Sequence, residues 1–306
     1  MVPVGMRLCE SANRCVPGTV RAMANHHFGK FADVWKHLVL DEVLVAAKPA
    51  RYAETHAGSA AYPMQSDDER RYGILGFLSG QTSRELSSAQ YTRVVSSFIN
   101  AEPSMYPGSA LQAMTILGAG CDYRLCDLDP GSAQDLRSWA RRLGLQNCEI
   151  LERDGMTAVQ EWLPDPISTM VHLDPFDPLE RQPRGPSAIE LASDVAEAGH
   201  TLVYWYGYSS PAERGWAVEE IRAGTSAPLW WGDLMVTAAD GSVRDDGDLG
   251  EATTPGTGSG VVLANVVAPI TYRCEALATA LLESYADHSL PTGETGRIDV
   301  TTGRSR

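Results

Sequence analysis

Four turns that follow short apolar runs carry acidic or flexible residues suited to holding a nucleoside. The plainest is His172-Leu173-Asp174-Pro175-Phe176-Asp177-Pro178, which follows the apolar stretch 167–171. Its prolines stop a buried strand abruptly, and open α/β sheets bind ligands beyond the carboxyl ends of central strands. Asp127 follows the run 123–126, where a carboxylate can accept both hydroxyls of a ribose. Asp154-Gly155 follows the run 148–151 and can accept from an exocyclic adenine amine. Glu54, His56 and Gly58 lie in or after the run 51–54, where 55–60 is a small-residue turn that lets backbone approach a ligand closely. Each residue also has a plainer use: Asp127, Asp129, Asp154 or Asp174 as a helix cap, His56 as a loop histidine. Their arrival at successive strand ends favours a shared ligand site.

The elements that position these turns alternate. The apolar spacing predicts a helix over 31–47 that stops at Lys48-Pro49, then a first strand, 51–54. Residues 65–100 are polar and helical without a strand, which implies a helical insertion over about 65–104 that forms a lid or flank. Ser109 stands where it would cap a helix over 110–117. Strands over 123–126, 148–151 and 167–173 then alternate with helices over 132–143, 155–162 and 188–198. Further strands are expected at 201–206, 229–236 and 260–266, with helices at 211–223 and 275–288 and a Gly/Asp-rich loop at 239–257. This predicts one α/β domain over 23–288 with a seven-stranded, mostly parallel sheet that ends in an antiparallel hairpin. Residues 1–22 read as a disordered tail, with Met23 a possible start, and 289–306 as a frayed tail.

With 306 residues, 43% of them hydrophobic, the chain can bury a substantial core. Its net charge of −14 and pI of about 4.9 oppose tight binding to phosphate backbones unless Lys and Arg gather on one face. Arg21, Lys30, Lys36, Arg51 and the arginines of 181–184 are the candidates for such a face. No apolar run is long enough to span a bilayer, which implies a soluble, cytoplasmic protein. The six cysteines form no CxxC pair, so neither a disulfide framework nor a metal site is expected. Cys121, Cys126 and Cys148 read as small apolar groups in the sheet.

A set of motifs carries a resemblance. Ala32-Asp33-Val34-Trp35-Lys36-His37, Thr55-His56-Ala57-Gly58, Tyr106-Pro107-Gly108-Ser109, Asp154-Gly155 and Leu173-Asp174-Pro175 occur in this order. Order and spacing resemble those of the S-adenosylmethionine-dependent 23S rRNA adenine-N6 methyltransferases of the RlmJ type. Trp205-Tyr206 and 258–262 are similar to that family's later strands, and the likeness covers roughly 25–283. It implies a class I, Rossmann-like methyltransferase fold with the last strand antiparallel, and S-adenosylmethionine as cofactor. Lys36, His56 and Ser109 match cofactor-contacting positions, Asp127 the acid at the ribose, and Asp154 the position near the adenine. Asp174 matches the first residue of the catalytic Asp-Pro-Pro-Tyr turn and is followed by Pro175 and, where that turn has its second proline, by Phe176. There the acid and a neighbouring carbonyl accept from the target amine, and an aromatic ring stacks on the base.

Here that turn reads Asp174-Pro175-Phe176-Asp177, which brings Phe176 one position early and adds a carboxylate suited to an amine-bearing substrate. His26 and His27 precede the first helix and are candidate substrate contacts. Three readings follow: methyl transfer to an amine such as an RNA adenine, the same cofactor used on a small molecule or as reactant itself, and a non-catalytic methyltransferase-like partner protein.

Overall fold

The computed structural model describes residues 28–80, 83–175, 185–208, 211–238, 258–285 and 296–305. Helix α1 (Phe31–Ala47) is apolar on nearly every side and is buried along its first fourteen residues apart from Asp33 and Glu42. Its start is fixed by Asp33, whose Oδ2 accepts from the Lys30 amide at 3.3 Å, and it stops at Lys48, which takes a left-handed φ of 42°. Strand β1 (Arg51–Glu54) follows. The insertion then opens with β2 (Ala61–Pro63) and continues through α2 (Asp68–Tyr72), α3 (Ile74–Ser79), α4 (Arg84–Ser87) and α5 (Gln90–Ile99). It closes with β3 (Met105–Pro107), antiparallel to β2. This small bracket escapes periodicity analysis because strands of three residues show no alternation to read.

After α6 (Ser109–Leu117) the chain alternates through β4 (Asp122–Cys126), α7 (Pro130–Arg142), β5 (Cys148–Leu151), α8 (Gly155–Gln160) and β6 (Thr169–Leu173). It continues through α9 (Ala188–Glu197), β7 (Thr201–Tyr208), α10 (Trp216–Gly224), β8 (Leu229–Ala238), β9 (Gly258–Ala264), α11 (Ala268–Ser284) and β10 (Gly296–Arg304). The main sheet runs β10-β8-β9-β7-β6-β1-β4-β5. Strands β5, β4, β1, β6 and β7 are parallel, and β9 lies antiparallel between β7 and β8. This is the class I methyltransferase fold, with one strand added at the edge.

The added strand corrects the expectation of a frayed tail over 289–306. β10 pairs antiparallel along β8 from Gly296↔Ala238 to Arg304↔Trp230, and so covers an edge that would otherwise expose a long row of unpaired backbone groups. Arg304 then reaches Glu275 of α11 at 2.8 Å. Helix α11 also begins seven residues before the expected 275, because Pro269 falls in its first turn, where proline costs no hydrogen bond.

Period-two alternation divides the sheet's two faces. Val203 and Trp205 of β7 join the core under α1, α6 and α11, whereas Leu202, Tyr204 and Tyr206 join the core under α9 and α10. Gly258 and Gly260 on β9 make room for the rings opposite: a Cβ would lie 2.1 Å from Tyr208 and 2.2 Å from Tyr206. Cys121, Cys126 and Cys274 are buried free thiols, and Cys148 is partly buried. Among the described residues no helix is long and apolar enough to cross a membrane, and no group of three or more His, Cys, Asp or Glu is placed to hold a metal.

Candidate active site

Strand register brings the site together. Glu54 at the end of β1 is level with Leu125 on β4 and with His172 on β6. Two residues further on, His56, Asp127 and Asp174 therefore leave the sheet at one height. On the outer side Leu173 of β6 is level with Tyr204 of β7, which puts Trp205 beside Asp174. Backbone bonds extend this alignment into the turn: Thr55 N donates to His172 O at 3.3 Å and Ala57 N to Cys126 O at 2.9 Å.

Asp174 is held by α1. Lys36 Nζ lies 2.6 Å from Asp174 Oδ2 and 2.9 Å from Asp33 Oδ1, and stands 5.3 Å from the centroid of the Trp205 ring. The three side chains are 8%, 20% and 16% exposed for Lys36, Asp174 and Asp33. Burial acts against the charge of Lys36, but the two carboxylates outweigh it and raise the ammonium's pKa. Burial likewise pushes both carboxyls up, and Lys36 more than reverses this, so Asp33 and Asp174 lie below the ordinary carboxylate value. Asp174 is thus an ionised acceptor whose Oδ1 has no partner among the described residues.

Beneath this cluster lies a second, sealed one. The Glu54 carboxyl is wholly buried and accepts from Tyr52 OH at 3.0 Å, from His172 Nδ1 at 3.0 Å, and from the Ser109 hydroxyl. Ser109 therefore does not cap α6, whose N-cap is Gly108; the nearby buried carboxyl takes its hydroxyl instead. His37 is neutral, since burial, aided by the Lys36 charge, drops its pKa to about 3. Its Nδ1 accepts from Gln112 Nε2 at 3.0 Å, and the Tyr106 hydroxyl lies 2.9 Å from the same nitrogen.

On the other side of Asp174, Asp127 ties the glycine turn to β4. Its Oδ2 accepts from Gly58 N at 2.8 Å and its Oδ1 from Asp129 N at 2.7 Å. The helix cap at α7 is Asp129, which accepts from Ser132 N, so Asp127 is spared that role. Asp154 is a cap: its Oδ2 accepts from both Thr157 N and Thr157 Oγ1. Gly155 is required by packing, because a Cβ would stand 2.2 Å from Thr55 O. His56 lies among the acids: burial lowers its pKa, and Asp174, Asp127, Asp154 and Glu54 all pull it back up. Its Nδ1 bonds the Thr55 hydroxyl at 2.8 Å.

Lys36, His56, Gly58, Asp127, Asp154, Gly155, Asp174 and Pro175 thus fall at one edge of the sheet, and Ser109 lies just beneath them. Phe176, Asp177, His26 and His27 lie outside the described residues. The basic face expected for RNA is not formed by its described members. Lys30 and Lys36 are 3% and 6% exposed within ion pairs, and Arg51, at the opposite end of β1, pairs with Asp165 at 2.9 Å. Arg21 and 181–184 lie outside the described residues. Sequence reasoning missed the roles of Asp33 as second partner of Lys36 and of His172 as partner of Glu54. The i,i+3 spacing of Asp33 and Lys36 on one helix was the available signal.

No family model matches the chain. It is 30% identical over 162 residues to Ribosomal RNA large subunit methyltransferase J of Escherichia coli (strain K12), a match over 49% of this chain and 56% of that protein. The chain therefore spans little more than half the length of the curated relative it matches. Among solved structures, protein LPL1258 from Legionella pneumophila superposes with a TM-score of 0.66 at 22% identity, over 90% of this chain and 98% of that one. A SAM-dependent methyltransferase from Agrobacterium tumefaciens superposes with a TM-score of 0.40 at 12% identity, over 78% and 64%. At 22% identity the likeness to LPL1258 is one of fold.

Proposed function

We propose that the chain is an S-adenosylmethionine-dependent methyltransferase that methylates an amine nitrogen, with an adenine of ribosomal RNA as the acceptor. The observation that carries this is the level exit of His56, Asp127 and Asp174 from three adjacent parallel strands, with Asp174 ionised and one of its oxygens open. The 30% identity to an rRNA methyltransferase over about half of each chain supports the choice of acceptor.

The residues fit the cofactor. Asp127 spends one lone pair of each oxygen on Gly58 N and Asp129 N, which leaves an acceptor position on each oxygen for a ribose hydroxyl. The three aspartates acting on His56 give the region a negative field that suits a sulfonium. Asp127 would hold the ribose, Asp154 and Gly155 the adenine side, and Lys36, His56 and Gly58 the amino-acid end, with Ser109 beneath them bonded to Glu54. When bound, S-adenosylmethionine supplies an electrophilic methyl group.

The chain's own contribution is alignment. Asp174 Oδ1 and the Pro175 carbonyl accept the amine hydrogens and so turn the nitrogen lone pair outward, towards the methyl. Because Lys36 holds the Asp174 pKa low, this carboxylate is a poor base; it would orient the neutral amine, and the proton of the cationic nitrogen left by methyl transfer would pass afterwards to water. The test is incubation with labelled cofactor and protein-free rRNA, followed by mass identification of the modified nucleoside. Label in N6-methyladenine is expected. No rise in thermal midpoint at millimolar cofactor, together with no label, would overturn the reading.

A second reading, methylation of a small amine, is favoured by the burial of Lys30 and Lys36 and by the net charge of −14. Cofactor consumption without label in RNA distinguishes it.

A further inference from the structure

The inserted helices touch the candidate site through an ion pair that the chemistry above does not use. Lys30, at the N-cap of α1, is 3% exposed, and its Nζ lies 3.1 Å from Glu69 Oε1 on α2. Glu69 Oε2 in turn accepts from Arg70 Nη1 at 2.9 Å, and Arg70 stacks 4.0 Å from the centroid of Phe28. Backbone contacts reinforce the junction. Ile74 N donates to Gly29 O at 2.9 Å, and a Cβ on Gly73 would stand 2.1 Å from that oxygen. The elbow between α2 and α3 therefore grips the two residues that precede α1. The first turn of α1 then carries the contact inward: Lys30 N donates to Asp33 Oδ2 at 3.3 Å, Asp33 Oδ1 meets Lys36 at 2.9 Å, and Lys36 meets Asp174 at 2.6 Å. Arg70, Glu69 and Lys30 alternate in charge, as do Asp33, Lys36 and Asp174, and the two runs meet at the backbone amide of Lys30.

We propose that Lys30 and Glu69 are positioning residues for the reacting turn: the insertion clamps the start of α1 so that Lys36 is shared between Asp33 and Asp174. This rests on the methyltransferase reading of the site. A buried ion pair is a poor way to gain stability, since apolar residues of similar volume serve as well or better. Its value here is geometric. Asp33 competes with Asp174 for one ammonium, and the Lys30 backbone amide, placed by the grip of Glu69 on the Lys30 side chain, keeps Asp33 from winning by fixing its other oxygen. If that oxygen is released, Asp33 swings and draws Lys36 with it, and Asp174 loses both its counter-ion and its fixed orientation.

The test is the double variant Lys30→Met/Glu69→Met, which removes both charges of the pair and leaves Arg70 its bridge to Asp67 at 2.8 Å. Its thermal midpoint is expected at or above that of the wild type, while kcat for methyl transfer falls about tenfold or more with KM for either substrate changed far less. Lys30→Arg, which keeps the pair, is expected to retain most of the rate. A folded double variant with wild-type kcat overturns the proposal. Should the double variant fail to fold, Glu69→Asp keeps the charge and shortens the arm, and a wild-type kcat there overturns it equally. A readout independent of activity separates this proposal from its premise: the carboxyl ¹³C titration of Asp174. Its midpoint is expected to rise by about one unit in the double variant, a tenfold change in proton affinity. An unchanged midpoint refutes the positioning role, whereas a wild type that neither binds nor consumes S-adenosylmethionine refutes only the methyltransferase reading.

Discussion

Replacement of Lys36 by Met would leave two carboxylates, Asp33 and Asp174, in a space that is 16% and 20% exposed with no cation between them. Loss of one partner from a buried pair costs about 3–5 kcal/mol, because the remaining charge is stranded. For a domain of this size that lowers the thermal midpoint by roughly 6–10 °C at pH 7. The pH dependence is more diagnostic than the size. In the wild type both carboxyls have lowered pKa values, so their contribution is present above the unfolded value of about 3.8 and is lost only as pH falls through the folded values below it. In Lys36→Met, burial, the largest influence on each, is expected to prevail over the weaker pull of Lys30 on Asp33 and of His172 on Asp174 and to raise both, so each carboxyl destabilises the fold progressively as pH climbs above 3.8. The gap between wild type and variant should therefore shrink from pH 7 towards pH 4, by up to ~1.4 kcal/mol per pH unit for each carboxyl. Calorimetric or urea unfolding at pH 7, 5.5 and 4.5 reads this directly. A gap that is the same at all three values would show that Lys36 stabilises by packing alone, and would remove the electrostatic basis for an ionised Asp174.

Three further outcomes are expected. Asp174→Asn should lower methyl transfer by about 10²-fold or more and leave cofactor affinity within a few-fold, as read by single-turnover transfer and calorimetric titration; parallel losses in both would put Asp174 in binding rather than orientation. Gly58→Ala introduces a Cβ 2.6 Å from Tyr62 OH at a φ of +58°, so it should cost about 1–2 kcal/mol of stability and weaken cofactor binding; unaltered affinity would detach this turn from the ligand. Asp41 is wholly buried with no partner for either oxygen among the described residues, and burial followed by the nearby Glu42 charge raises its pKa well above 3.8. The wild type thus pays increasingly to keep it as pH rises above 3.8, and Asp41→Leu should stabilise the protein more at pH 7 than at pH 4.5 in urea unfolding; equal gains at both would contradict a neutral buried acid.

How far the sequence foretold the site depends on whether a residue's role is local. Asp129 and Asp154 cap helices three residues away, a relation visible in spacing alone, and the alternation of β4 to β7 follows from runs of apolar residues. Asp127 could not be separated from a cap in this way, because what frees it is Asp129 two positions later and what occupies it is Gly58, 69 residues earlier. Ser109 was misread for the same reason. Its position invites a cap, but Glu54, 55 residues away, is a buried acceptor that outcompetes the helix end for the hydroxyl. The strand at Gly296–Arg304 is legible only once β8 is known to be an open edge.

Under the proposed function, the distribution of charge also favours one of two roles for Asp174. A general base needs a pKa near the working pH, and burial alone would move a carboxyl in that direction. This chain does the opposite: it places Lys36 2.6 Å away and supports that lysine with a second acid, which drives the Asp174 pKa below its ordinary value. Such a group gains nothing as a proton acceptor in the rate-determining step. It does gain as a fixed hydrogen-bond acceptor, since an ionised oxygen held in one orientation accepts an N–H more strongly than a neutral one and does not compete for the nitrogen lone pair. The cost of burying three charges beside the sheet edge is therefore consistent with orientation as the function of Asp174, and it predicts a methyl-transfer rate that is flat with pH across the range in which the acceptor amine is neutral.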